Sequence, residues 1–313
     1  MSHDLMAQRH IHFSSSLEIL DIFNLENQVT LFPGDCLALL ADMPDGVADL
    51  VVTSPPYNLG KEYEKKLDLD IYVSQQKTII GECVRILKPT GSICWQVGNY
   101  VDKGSILPLD ILLYPIFHEL GLQLRNRIIW HFEHGLHCTR RFSGRYETIL
   151  WFTKSDDYFF DIDPVRVPQK YPGKKYFKGP KAGQYSCNPK GKNPGDLWVI
   201  PNVKHNHVEK TIHPCQFPVE LIERLVLSMT PKHGLVFDPF MGVGSSAVAA
   251  LINGRRAAGA EIYPEYLQVA RERLTLAGQG LLRTRPMTQP VFDPDNGGSV
   301  AKNPFASSLK DRS

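Results

Sequence analysis

Ser54, Pro55, Pro56 and Tyr57 stand directly after the apolar run Ala48-Asp49-Leu50-Val51-Val52-Thr53. A short β-branched run bounded by turn residues reads as a buried strand of a parallel sheet, and open α/β sheets bind ligands outside the carboxyl ends of their strands. Two consecutive prolines fix two φ angles and remove two N–H donors. The corner is therefore stiff, and its carbonyls are left to accept hydrogen bonds. With a serine hydroxyl before it and an aromatic ring after it, this acceptor cluster suits a flat, amino-bearing ligand such as a nucleobase. A Pro-Pro dipeptide also occurs as plain loop structure, so the chemistry needs a second site to support it.

That second site lies toward the other end of the chain, in Gly234-Leu235-Val236-Phe237-Asp238-Pro239-Phe240-Met241-Gly242-Val243-Gly244-Ser245-Ser246, followed by an alanine-rich apolar run. It reads as strand, glycine turn and helix. Gly242 and Gly244 allow close backbone approach, and the helix opening at Ser245 presents N–H groups to a polar ligand. Glu261 closes the next strand, 23 positions after Asp238, near the roughly 20-residue spacing at which an acid takes ribose hydroxyls in nucleotide-binding α/β folds. The third glycine of the dinucleotide fingerprint is missing, which argues against a nicotinamide cofactor.

The Ser54 to Tyr57 segment resembles the Ser-Pro-Pro-Tyr catalytic motif of DNA methyltransferases that modify exocyclic amino groups. The Asp238 to Ser245 segment resembles the motif by which those enzymes hold S-adenosyl-L-methionine. Catalytic motif first and cofactor motif last is the order of their beta group. The resemblance covers roughly residues 31–276 and implies a Rossmann-like α/β methyltransferase fold, a mixed, mostly parallel sheet flanked by helices, with a small irregular target-recognition insert. It assigns catalysis to Ser54, Pro55, Pro56 and Tyr57. It assigns the cofactor to Asp35, His213, Pro214, Asp238, Phe240, Gly242, Gly244, Ser245 and Glu261, with Asp35 toward the adenine and Glu261 toward the ribose. Pro214-Cys215-Gln216 also looks like the nucleophile motif of enzymes that methylate carbon 5 of cytosine. In those enzymes the glycine motif precedes the cysteine, whereas here it follows, so Cys215 reads as a packing residue.

Between the two motifs, residues 165–210 hold ten basic side chains against Asp196 and Glu209, although the whole chain is only +2. Basic residues interleaved with Tyr171, Tyr176, Phe177, Tyr185 and Trp198 suit phosphate contact and base stacking, and a solvated lysine-rich loop would share that composition. Arg140, Arg141, Lys170, Lys174, Lys175, Lys178 and Lys181 are the candidate DNA contacts.

The elements that must position these groups alternate in the α/β manner. Strands are expected at 29–32, 50–53, 92–97 and 127–132, and helices at 70–87 and 107–120. The expected organisation is an N-terminal arm over 1–27 with a short helix near Leu17 to Ile22, and a catalytic half over 28–160. A target-recognition insert over 161–209, a cofactor half over 210–276 and a disordered tail over 277–313 follow. Lys61 to Lys66 reads as a polar loop beside the catalytic corner. The composition, 42% hydrophobic and 22% charged, is that of an ordinary globular protein. Six cysteines without a Cys-x-x-Cys pair indicate neither a disulfide framework nor a zinc site. His205, His207 and His213 match no metal pattern, so no metal is expected. Neither a signal peptide nor a membrane span is read.

The expected activity is site-specific methyl transfer from S-adenosyl-L-methionine to the exocyclic amino group of a flipped-out adenine (N6) or cytosine (N4) in duplex DNA. The serine before Pro-Pro leaves adenine and cytosine both open. Alternatives are an RNA or protein amide methyltransferase of the same fold, and a DNA-binding protein with a relic cofactor fold. Double-stranded DNA is the expected partner, with a homodimer and a separate restriction endonuclease open. The expected location is a prokaryotic cytoplasm, at the nucleoid when acting.

Overall fold

The computed structural model describes residues 17–58, 60, 66–102, 104–133, 135 and 137–291. Most of the N-terminal arm, residues 61–65 of the polar loop and the tail from 292 lie outside the described residues. Among the described residues nine strands form one sheet: β1 (Ile19–Leu20), β2 (Val29–Pro33), β3 (Ala48–Thr53), β4 (Leu87–Val97), β7 (Gln123–His131), β8 (Tyr146–Thr153), β9 (Leu197–Val199), β10 (Leu235–Asp238) and β11 (Arg256–Glu261). Their spatial order is β1-β2-β11-β10-β3-β4-β8-β7-β9. Every pair from β1 to β4 is parallel, and β8 runs antiparallel to both β4 and β7. The sheet is thus mixed and mostly parallel, as the resemblance implies. A separate hairpin of β5 (Asn99–Asp102) and β6 (Ser105–Pro108) was not expected from the sequence pattern.

Alternation along the strands divides the core, because successive side chains leave a strand on opposite faces. Leu50 and Val52 pack on the face covered by α4 (Val219–Met229), α5 (Ser245–Ile252) and α6 (Pro264–Gly278). Val51 packs on the other face with α1 (Cys36–Asp42), α2 (Leu69–Ile86) and α3 (Leu109–Glu119). With both faces covered, β3 and β10 are buried along their whole length, which explains their near-continuous apolar sequences.

From β3 the chain passes through α2 to β4 on one side, and from β10 it passes through α5 to β11 on the other. The order therefore reverses between β3 and β10, and such a switch point opens a crevice at the carboxyl edge of the sheet. Ser54 follows β3, Phe240 follows the end of β10, and Gln96 is the next-to-last residue of β4 at that edge. The antiparallel β8 contributes its first residues, Tyr146 and Glu147, to the same edge.

Two expectations change. Ile19 and Leu20 form no helix but a short strand pairing in parallel with Val29 and Thr30, since two apolar residues satisfy their backbone best by extending an available sheet edge. The chain beyond α6 is packed at least to Arg285, which is buried and donates to Glu220 and to the carbonyls of Gln289 and Pro290. The Arg285 backbone N–H reaches Glu209, whose other carboxylate oxygen accepts from Val219 N–H at the start of α4. A buried arginine persists because these partners satisfy it, and polar composition alone could not announce them.

Candidate active site

Asp238 joins the two halves of the crevice. It has no solvent exposure, and it accepts the Thr53 hydroxyl at 2.5 Å, the Phe240 N–H at 3.0 Å and the Ser246 hydroxyl. Burial pushes its carboxyl up to about 6, against the lowering pull of those donors. Its side chain thus has no surface to offer a ligand. Asp238 acts by fixing the end of β3, the turn after β10 and the start of α5 in one geometry.

That turn is shaped by glycines. Gly242 and Gly244 take φ of 54° and 79°, which residues with a Cβ adopt at a cost. On β11, a Cβ at Gly259 would lie 2.2 Å from Met241 Cε and 2.3 Å from the Asp238 carbonyl oxygen, so only glycine lets the turn close against the strand. Glu261 then receives N–H groups from Gly242 and Tyr263, each at 2.8 Å. A carboxylate has about four acceptor sites; with two used, the half-exposed Glu261 keeps capacity for two hydroxyls of a ligand.

His213 reaches the same turn, its Nε2 lying 3.7 Å from where a Gly242 Cβ would stand, and its ring packs edge-on against Tyr266 at 4.6 Å. Burial, reinforced by Lys210, lowers its pKa to about 4, so the imidazole is neutral. Pro214 is exposed beside it. Asp35 is exposed at the end of β2 and caps α1 by accepting Leu37 N–H at 2.7 Å. Ser245 is buried at the first turn of α5, where its hydroxyl accepts from Arg273 at 3.2 Å. Phe240 packs edge-on to Trp95. The structure thus brings Asp35, His213, Phe240, Gly242, Gly244 and Glu261 to one edge of the sheet, and places Asp238 and Ser245 behind it.

On the catalytic side, Pro55 is buried, Ser54 and Pro56 are half-buried, and the Pro56 carbonyl accepts the Tyr72 hydroxyl at 3.0 Å. The Ser54 and Tyr57 hydroxyls lie 3.2 Å apart. Gln96 Nε2 donates to Tyr57 Oη at 2.8 Å and also to Glu147, while Tyr57 Oη donates to Glu147 Oε2 at 3.3 Å. Gly98 leaves room for this group, since a Cβ there would stand 2.9 Å from the Tyr57 ring and 3.2 Å from Glu147 Oε1. Sequence reasoning missed Gln96 and Glu147. A signal was present for Gln96, a polar residue between the apolar, buried Trp95 and Val97, whereas Glu147 stands between the exposed Tyr146 and the polar Thr148 and carried none.

The basic segment leaves the body after the short 3-10 turn Asp163–Val165 and is tied at its base by the Val167 to Lys192 bridge. All residues from 170 to 185 are exposed. Lys170, Lys175 and Lys178 lie over the rings of Tyr171, Tyr185 and Phe177, so cations and rings share one surface. Lys174 and Lys181 are exposed on the same excursion, whereas Arg140 and Arg141 are exposed on the loop before β8. Among the described residues no three His, Cys, Asp or Glu side chains converge as metal ligands, and no helix is long and apolar enough to cross a membrane.

Comparison with known proteins adds to this geometry. Residues 48–272 match the family model described as DNA methylase, of the N6 and N4 type. The type II methyltransferase M.BglII of Bacillus subtilis is 48% identical over 283 residues, spanning 88% of this chain and 79% of that one. A Thermus thermophilus protein described as a DNA modification methylase, solved with S-adenosyl-L-methionine, is 28% identical with a TM-score of 0.57, over 80% of this chain and 94% of that one. The PvuII DNA methyltransferase, cytosine-N4-specific, aligns with a TM-score of 0.63 at 22% identity, over 82% of this chain and 93% of that one, a likeness of fold.

Proposed function

Since this chain belongs to the N6/N4 DNA methylase family, we propose that the crevice between β3 and β10 transfers a methyl group from S-adenosyl-L-methionine to an exocyclic amino group of a base in duplex DNA. The protein is a site-specific DNA amino-methyltransferase, and its cofactor is S-adenosyl-L-methionine. The observation that carries the placement is the Thr53 to Asp238 hydrogen bond, which fastens the Ser-Pro-Pro-Tyr corner to the cofactor turn.

The residues present fit that cofactor. Glu261 retains acceptors that would take the ribose hydroxyls, the glycine turn and neutral His213 would hold the methionine portion, and Asp35 would meet the adenine. When bound, the cofactor supplies an electrophilic methyl group on a sulfonium centre. The chain's own part is to present the nucleophile. An exocyclic amino group is a poor nucleophile because its lone pair is delocalised into the ring. Hydrogen bonds from its two N–H groups to Ser54 Oγ and the Pro55 carbonyl draw it toward a pyramidal geometry and free the lone pair for in-line attack. The target atom is inaccessible within a stacked duplex, so the base is flipped out and Tyr57 stacks on it. The exposed lysines and aromatic rings of residues 166–196, with Arg140 and Arg141, are proposed to hold the duplex.

Incubation of the protein with labelled cofactor and duplex DNA is expected to incorporate label that mass analysis of nucleosides finds as N6-methyladenine or N4-methylcytosine. Label at carbon 5, or in RNA or protein alone, would refute the reading. Cys215 is exposed, its backbone N–H donating to His213 Nδ1, and Cys215→Ser is expected to change turnover by no more than about twofold, as for other surface substitutions. A trapped covalent DNA adduct that disappears in this variant would show the cysteine-nucleophile chemistry instead. A cognate restriction endonuclease, self-association and attachment to the nucleoid belong to the same proposal, and mapping methylated positions in a host genome would give the recognition sequence.

A further inference from the structure

The group around Tyr57 contains more than base stacking requires. Gln96 Nε2 can only donate, and it occupies one face of the Tyr57 hydroxyl oxygen at 2.8 Å. The Tyr57 hydrogen is then directed to Glu147, the acceptor 3.3 Å away. With that hydrogen committed, the Ser54 hydroxyl, 3.2 Å from Tyr57 Oη, is free to donate to that oxygen and to keep its own lone pairs for the crevice. The hydrogen bonds run in one direction, from the base pocket through two hydroxyls to a carboxylate.

Resting on the reading above, we propose that Glu147 is a positioning residue that accepts, through Ser54 and Tyr57, the proton released when the target amino group is methylated. As the nitrogen lone pair forms the N–CH3 bond, the methyl–sulfur bond breaks with its electron pair left on sulfur, and the nitrogen becomes cationic. That nitrogen gives its proton to Ser54 Oγ, Ser54 gives its hydroxyl proton to Tyr57 Oη, and Tyr57 gives its own to Glu147. The products are a neutral methylated amine, two unchanged hydroxyls and a carboxylic acid, which returns the proton to solvent before the next turnover. A serine hydroxyl cannot store this proton, so it passes either to water or to a base beyond Ser54, and Glu147 is the carboxylate that the hydrogen bonds reach.

The surroundings suit that role. Burial raises the Glu147 carboxyl to about 7, countered by the hydrogen bonds from Tyr57 and Gln96 and by the charge of Lys204 beyond β9, and proton transfer is most effective when the base is poised near the working pH. Burial holds the Tyr57 hydroxyl well above its usual range, so it relays a proton without ionising. Cys215, on the segment before α4, adds a smaller push in the same direction. Among the described residues, the charged and titratable groups that act on the pair are thus Lys204 and Cys215.

Single-turnover methyl transfer, started by adding labelled cofactor to a preformed enzyme–DNA complex, tests this between pH 5.5 and 8.5. For the wild type the rate is expected to rise with pH and level off above about pH 7, because only the ionised carboxylate accepts. Glu147→Gln keeps an acceptor for Tyr57 and is expected to bind DNA and cofactor like the wild type. Its plateau rate is expected to fall at least about tenfold, with the acidic limb gone. Glu147→Asp is expected to retain a limb at a shifted position. A Gln variant within twofold of wild type, or one that keeps the limb, overturns the proposal. If the Gln variant does not fold, carbon-13 NMR titration of wild-type glutamate carboxyls decides: one titrating near 7 supports the proposal, and none above 6 overturns it. Absence of methyl transfer to DNA by the wild type would instead overturn the underlying reading.

Discussion

Asp238→Ala is expected to destabilise the protein by about 3 kcal/mol and to abolish measurable cofactor binding, whereas Asp238→Asn costs no more than about 1 kcal/mol. The alanine variant strands the buried Thr53 and Ser246 hydroxyls and the Phe240 N–H, and each orphaned buried donor costs about 1–3 kcal/mol, partly relieved by reorientation. Asparagine escapes this penalty. Its Oδ1 accepts from Phe240 N–H and Thr53 as before, and its Nδ2 donates to Ser246 Oγ, which can turn its own hydrogen to the Met241 sulfur 3.3 Å away. Thermal unfolding with calorimetric titration of S-adenosyl-L-methionine distinguishes the two variants, and a Tm drop of roughly 10 °C is expected for alanine. The pH dependence differs as well. The native state holds the Asp238 proton to about 6, whereas the unfolded chain releases it near 3.9, so this residue's contribution to stability falls as pH rises across that window and is level above it. Asp238→Asn should lack that slope. An alanine variant as stable as wild type that still binds the cofactor would show that the turn does not depend on this carboxylate.

The same residue shows what a sequence can and cannot disclose. Its place after an apolar run, before two glycines and 23 positions ahead of Glu261, was enough to locate the cofactor turn, because strand, glycine and helix cap are local matters. That Asp238 faces inward is not local. It depends on Thr53, 185 positions away, arriving on the adjacent strand, and sheet order does not follow from any one segment. The partnership of Gln96 and Glu147 with Tyr57 was not local either, since it needs the parallel pairing of β3 with β4 for Gln96 and the antiparallel pairing of β4 with β8 for Glu147. The basic segment was legible as charge and aromatic content, and two of its ring-and-lysine pairs are sequence neighbours, but the third required the turn that sets Lys175 beside Tyr185. The packing of Arg285 after α6 was invisible because both its carboxylate contacts, Glu209 and Glu220, lie more than sixty positions earlier.

Tyr57→Ala is expected to lower methyl transfer about a hundredfold or more while leaving cofactor affinity unchanged, and Ser54→Ala is expected to lower it about tenfold. The tyrosine has two tasks in the proposed pocket. Its ring stacks on the extruded base, an interaction worth about 1–3 kcal/mol by alanine substitution, and its hydroxyl, held by Gln96 and Glu147, fixes the plane in which that base must lie. Loss of both lets the amino group drift from in-line geometry, and a misplacement of about 1 Å alone can cost a hundredfold. Serine contributes one hydrogen bond to the amino group, and the Pro55 carbonyl remains when it is removed, so its loss is smaller. Tyr57→Phe separates the tasks, because it preserves the ring and removes the hydroxyl. If stacking dominates, phenylalanine restores most of the rate, and if the link to Glu147 matters as proposed, its rate stays about tenfold below wild type and loses the acidic limb. Single-turnover rates on duplex DNA, with cofactor affinity measured separately, read all three variants. Near-wild-type rates for both alanine variants would remove the Ser-Pro-Pro-Tyr corner from the chemistry altogether.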